Sequence, residues 1–326
     1  MKHISDKEII EIENKLRKLK GIKPSKILLK RILNMIQQKS KYSTGAVVQP
    51  WYTKDIRQYR LEVAAGAVSL PETYETPYQG HKEQGASLSC VAQGVSAYTE
   101  VLNFKEEGKW VGLSARDLYS RIFLPQGGAF VLTALKEIKN RGIVPEELAP
   151  SYEGGNPPSE VFMRTRADIT KEEEEAGMTY ICQKYVDWNS RNFEMYKQAI
   201  YQGLACVFIV YGADKFWDQP IIETPGSKDE CPWTHLVMAT GWVKINGVEY
   251  IKIRNWWGKT WGDSEYGYIS KDMIEKGFCT NVYTLIDLPN GTYNQMVSLI
   301  FKLKELIAVI TEFLKNKSAG IFRNAN

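Results

Sequence analysis

The hydrophobic period of this chain changes near residue 180, and that change narrows the fold classes open to it. Before it, apolar residues recur at helical spacing. Val91, Val95, Tyr98, Val101 and Leu102 follow a stretch of small residues, residues 113–119 start a helix behind the N-cap candidate Ser114, and residues 131–139 run helically towards Gly142. After it, the apolar runs shorten to strand length. Residues 204–210 suit a buried strand, residues 235–242 are a second candidate, and residues 249–253 follow a turn at Asn246-Gly247 that makes a hairpin. A helical first half and a strand-rich second half predict an α+β fold with a cleft where the halves meet.

Outside this central region the patterning differs. Residues 4–37 read as two amphipathic helices. Ser5-Asp6-Lys7-Glu8 is a capping box, Ile9, Ile12, Leu16 and Leu19 share a face, Gly21 ends the first helix, and Ser25 caps the second. Residues 38–69 lose periodicity and read as an extended connector, residues 149–160 as a Pro/Gly loop, and the acidic run 172–175 as a solvated helix face. Near the C-terminus Met296, Leu299, Leu303, Leu306, Ile310 and Phe313 fall at heptad spacing, with Lys302, Lys304, Glu305 and Glu312 among them. Such a helix would dock on its own domain, self-associate, or lie on a membrane surface, and its charges exclude a transmembrane span. The expected organisation is residues 1–69 as an N-terminal helical segment and connector, residues 70–290 as the main domain (helical to about 178, β-rich from about 179), and residues 291–326 as a helical tail.

Composition removes several function classes. A net charge of +4 spread along the chain does not argue for nucleic acid. No run of about 18 apolar residues is present, and the N-terminus lacks an apolar leader core, so the expected location is cytoplasmic or reached by non-classical release. The five cysteines include no Cys-x-x-Cys pair, so neither a metal nor another cofactor is expected.

The chemistry is expected at residues 84–92, Gln-Gly-Ala-Ser-Leu-Ser-Cys-Val-Ala. A loop of small residues delivers Cys90 to the first turn of a helix, where the macrodipole favours the thiolate. The other reading of Cys90 is a small buried core residue. A nucleophilic thiol needs a general base, and only His3, His81 and His235 are available. His3 lies in the terminal tail and His81 in a polar loop close to Cys90 in sequence, whereas His235 opens an apolar strand. Asn255 ends a later strand and carries an amide that could accept from an imidazole N–H, with Trp257 placed to shield that bond.

The order Cys90, His235, Asn255, with Gln84 six residues before the cysteine, resembles the papain-like cysteine proteases. Cys90 and His235 are 145 residues apart, within the family's roughly 130–150, whereas Cys90 and Asn255 are 165 apart, slightly beyond it. Leu70-Pro71 resembles the family's mature start, Gly127-Gly128 its substrate-binding glycine pair, and Asn255-x-Trp257-Gly258-x-x-Trp261-Gly262 its Asn-Ser-Trp-Gly block. The resemblance implies a two-subdomain fold and hydrolysis of peptide or protein substrates through a thioester. It makes Cys90 the nucleophile, His235 the base and then acid, Asn255 the orienting residue and Gln84 the oxyanion donor. Gly127, Gly128, Leu88, Thr234 and Trp257 would contact substrate. It also implies an inhibitory propeptide within residues 1–69 and a disulfide option between Cys231 and Cys279.

The chain departs from the family pattern at several positions. Ser87 removes a familiar disulfide cysteine, which suits a bacterial or viral branch. Leu88 replaces a glycine beside the scissile bond, Val91 and Trp256 replace a Trp and a Ser, and Ala129 follows the glycine pair. Two alternatives stay open: an inactive scaffold of the same fold used for binding, and an amidase or transpeptidase using the same residues. Self-association through residues 296–313 is a further expectation.

Overall fold

The computed structural model describes residues 41–48, 70–182, 184–188 and 190–286. The two N-terminal helices, most of the connector and the heptad helix lie outside these residues. In chain order the elements are β1 (Ala46–Val47), β2 (Tyr74–Glu75), α1 (Cys90–Glu107), α2 (Ala115–Ile122), β3 (Ala129–Phe130), α3 (Val131–Arg141), α4 (Glu160–Arg164) and α5 (Lys171–Ala176). They continue with β4 (Lys184–Trp188), α6 (Phe193–Gly203), β5 (Cys206–Gly212), β6 (Ile221–Ile222), β7 (Trp233–Ile245), β8 (Val248–Arg254), β9 (Tyr266–Ser270), α7 (Lys271–Glu275) and β10 (Cys279–Ile286).

The architecture is α+β, as the change of period predicts. The main sheet runs β4-β10-β5-β7-β8-β9-β6, with β2 added beside β7. Its pairs are antiparallel except β6 with β9. Strand β5 is buried along its whole length because both its faces are covered. Its period of two sends Val207 and Ile209 into one core with α1, α2 and α3, and Cys206, Phe208 and Val210 into a second core with α6. The β7–β8 hairpin turns at Asn246-Gly247, both with positive φ (49° and 84°), the pair a tight primed turn requires.

Helix α1 is the central helix. Every residue from Cys90 to Leu102 is buried, and Gly108 ends it in the left-handed conformation (φ 66°) with its N–H on Phe104 O. Ser114 caps α2 as expected, accepting from Asp117 N at 2.9 Å. The acidic helix α5 buries no residue, in line with a solvated face. Helix α6 is an element the sequence reading passed over: Phe193, Tyr196, Ala199 and Ile200 are its buried stripe, and Asn192 caps it.

Candidate active site

The turn ahead of α1 is tied by its own small polar residues. Ser87 N–H and Oγ both donate to Gln84 O (3.0 and 2.6 Å), and Ser87 Oγ lies 2.7 Å from Ser89 Oγ. Gly85 adopts φ 53° where a Cβ would strike Pro157 and Pro158. This turn sets Cys90 as the first residue of α1 and aims Gln84 back across it. Leu88 N–H donates to Glu160 Oε2 (2.6 Å), and Tyr119 Oη and Arg164 Nε hold the other oxygen of that carboxylate at 2.9 and 2.7 Å.

Strands β7 and β8 bring up the opposite wall. His235, in β7, places Nε2 2.7 Å from Asn255 Oδ1, just past the end of β8. The same oxygen accepts from Trp256 N–H at 2.8 Å, which fixes the amide orientation, because a backbone N–H can only donate. Nε2 of His235 therefore carries the proton and Nδ1 is the acceptor nitrogen, buried and without a hydrogen-bond partner among the described residues. Trp257 stacks on the imidazole, with centroids 4.5 Å apart at 28°, and Trp217 and Trp233 meet it edge-on. Cys90, Gln84, His235 and Asn255 are all fully buried.

Residues 41–48, part of the stretch expected to be a connector, run through the cleft and cover Cys90 and Gln84. Strand β1 pairs in parallel with β3, Ala129 N–H donates to Gly45 O (2.8 Å), and Thr234 Oγ1 donates to Ala46 O (2.6 Å). Gln84 Nε2 and Trp257 Nε1 both donate to Ser43 O at 2.9 Å. Tyr42 stacks on Trp257 at 4.1 Å, and Lys41 pairs with Asp218. The backbone of Leu236, Gly45, Val91 and Ala46 surrounds the Cys90 sulfur. The site residues expected from the sequence thus gather at one place: Gly128, Leu88, Thr234 and Trp257 all touch this segment, while Gly127 lies behind Leu88.

The electrostatics follow from that cover. Burial pushes the Cys90 thiol up to about 11, outweighing the neighbouring backbone groups that pull it down. Burial also lowers His235 to about 3 against the hydrogen bond to Asn255, which raises it. The sequence expectation of a helix start favouring thiolate is met in position, but in the covered state desolvation wins and both groups are neutral.

One further expectation changes. All five cysteines are free thiols, so the Cys231–Cys279 bridge is not formed. Cys279 lies buried in β10 and hydrogen-bonds with Tyr196, while Cys231 Sγ lies 3.7 Å from Ser227 O. His81, set aside as a local loop residue, has a different task. Its Nδ1 lies 2.8 Å from Glu265 Oε1, and Glu265 pairs with the buried Arg254 beside Asn255. Among the described residues no cluster of His, Cys, Asp and Glu could hold a metal ion, and no helix is long and apolar enough to cross a membrane.

Comparison with known proteins gives a consistent answer. Residues 72–285 match the model of the papain family cysteine proteases. Cysteine proteinase COT44 of Brassica napus is 27% identical over 67% of this chain and 65% of its own length. The chain spans 53 to 65% of the length of the first curated relatives it matches. Among solved structures, xylellain, a cysteine protease from Xylella fastidiosa, superimposes with a TM-score of 0.64 at 16% identity, covering 78% of this chain and 99% of its own. The ragweed pollen cysteine protease Amb a 11 in its proform gives 0.56 at 16% identity, covering 87% of this chain and 94% of its own.

Proposed function

Because the chain belongs to the papain family of cysteine proteases, we propose that it hydrolyses peptide bonds through a thioester formed on Cys90. The observation that carries this reading is the His235–Asn255 bond, which leaves an unprotonated, unpartnered Nδ1 on the ring beside the start of α1. Once the cleft is open, Nδ1 takes the thiol proton and the thiolate attacks the substrate carbonyl carbon. The resulting oxyanion is bonded by Gln84 Nε2 and the Cys90 N–H. Collapse breaks the C–N bond, and the imidazolium gives its proton to the leaving amine. Water, deprotonated by His235, then attacks the thioester, releases the acid and restores the thiol. The bond from Gln84 Nε2 to the Ser43 carbonyl supports the oxyanion role, since that N–H already serves a carbonyl oxygen in the cleft.

Residues 1–69 act as a propeptide in this reading, supported by the passage of residues 41–48 over Cys90. The serine at position 87 supports a bacterial or viral branch. The intact set Cys90, His235, Asn255 and Gln84 argues against a scaffold used only for binding. The test is peptide hydrolysis by the purified chain after processing, together with covalent labelling by an epoxysuccinyl inhibitor, comparing wild type with Cys90→Ala. Labelling and turnover lost together in the variant support the assignment, and turnover retained without Cys90 overturns it.

A further inference from the structure

Position 45 is walled on both sides. A Cβ built on Gly45 would lie 1.9 Å from Leu88 O and 2.8 Å from Leu88 Cβ. Across the segment, a Cβ on Gly128 would lie 2.1 Å from Gly45 O and 3.1 Å from Gly45 Cα, so two glycine backbones pass face to face. Leu88 is itself closely packed, because its Cδ1 lies 2.3 Å from where a Gly127 Cβ would stand. Neither wall gives easily. Leu88 is anchored through its N–H to Glu160 Oε2, and Gly45 O is held by Ala129 N–H. Gly127 and Gly128 have φ of 93° and 73°, whereas Gly45 lies outside the left-handed region. Alanine could take its backbone conformation, so the exclusion is one of space.

We infer that Leu88 and Gly128 form a glycine slot beside Cys90, and that the preferred substrates are peptides with glycine at the residue threading it. The slot is next to the reacting sulfur, since the backbone of Gly45 and Ala46 reaches the Cys90 thiol. The chain's own segment passes the slot because residue 45 is glycine. The substrate half of this inference rests on the peptidase reading above; the slot rests on geometry alone. Overpacking of the kind a methyl group would cause costs about 10- to 100-fold in affinity.

The experiment uses the full chain. Gly45→Ala should accelerate alkylation of Cys90 by iodoacetamide about tenfold or more, followed by mass spectrometry, with Ser43→Ala, which keeps every backbone contact, near wild type. A synthetic peptide of residues 41–48 should restore protection to the Gly45→Ala chain, and the same peptide with alanine at position 45 should not. Equal protection by both peptides, or an unchanged rate in Gly45→Ala, overturns the slot. Given to the enzyme after processing, paired peptide substrates with glycine or alanine at each position flanking the cleaved bond should differ about tenfold or more at one position, and Leu88→Gly should shrink that difference. Equal cleavage of the pairs overturns the substrate preference. Protection results as expected with no peptide cleaved at all would instead refute the peptidase reading and leave the slot standing.

Discussion

His235 Nε2 donates to Asn255 Oδ1 at 2.7 Å, and the second donor on that oxygen, Trp256 N–H at 2.8 Å, means the amide cannot turn over without losing both bonds. The asparagine therefore sets the tautomer of the histidine as well as its direction. Asn255→Ala should lower kcat on the order of 10²-fold with KM little changed, because the ring loses its orientation while the cleft keeps its walls. Steady-state kinetics on the processed enzyme check this. A change confined to KM would show that Asn255 shapes substrate binding instead.

The covered state should be sensitive to pH in both directions. Burial lowers His235 to about 3, and uncovering the cleft returns water to the ring and moves it up towards 6.5, so protons bind the uncovered state more readily. The sign is that stabilisation of the cover is present above 6.5 and is lost as pH falls from there towards about 3, by up to about tenfold per unit. The Lys41–Asp218 pair acts in the same direction at lower pH, since Asp218 is held below 3.8 by its bond from Lys41. Burial raises Cys90 to about 11, and uncovering moves it back towards 9.0, so alkaline pH also favours release across that interval. Amide exchange of residues 43–47, corrected for its intrinsic pH dependence, should be slowest between about 6.5 and 9. A rate of opening constant from pH 4 to 8 would remove His235 as the controlling group.

Trp256, standing where the resembling family has serine, joins the two halves of the site. Its ring is fully buried, its Nε1 donates to Leu236 O at 2.9 Å, and its edge lies near Gly94 of α1. Trp256→Ser should cost about 3–5 kcal/mol, as for other buried aromatic truncations, read by urea unfolding. A loss below about 1 kcal/mol would mean that the helix–sheet contact closes around the missing ring.

Much of this arrangement was legible because its signals are local. The capping of α2 by Ser114, the turn at Asn246-Gly247, the apolar run of β5 and the placement of Cys90 at a helix start each depend on a few neighbouring residues. The His235–Asn255 bond came from chemistry that needs those residue types, not from spacing. The resemblance implied an inhibitory segment within residues 1–69 but not that residues 41–48 run past Cys90, because β1 takes its partners from β3 more than 80 residues away, and an extended strand of two residues carries no period. Nothing near Gly45 in the sequence marks it, since its meaning lies in Leu88 and Gly128. The contact of His81 was hidden for the same reason: its closeness to Cys90 along the chain rightly set it aside as the base, but its partner Glu265 is remote in sequence.

The remote partner of His81 leads to a final prediction. Arg254 is 1% exposed and paired with Glu265. Its Nη1 donates to Asn255 O at 2.8 Å, while Asn255 N–H donates to Glu265 O at 2.9 Å, so the pair grips both ends of the Asn255 peptide. The rings of Tyr78 and Tyr266 lie 5.4 Å from the guanidinium and Trp256 lies 5.8 Å from it, leaving a buried cation with little water to replace a lost partner. Glu265→Ala should therefore cost about 3–5 kcal/mol, most of it the penalty of an unpaired buried charge. Removing that charge as well, in Arg254→Met with Glu265→Leu, should recover stability relative to the single variant but not kcat, because the donor to the Asn255 carbonyl is gone. Denaturant midpoints and turnover measured on both variants separate the two effects. If the double variant unfolds no later than Glu265→Ala, the unpaired charge is not the source of the loss; if it recovers full kcat, Arg254 does not position Asn255.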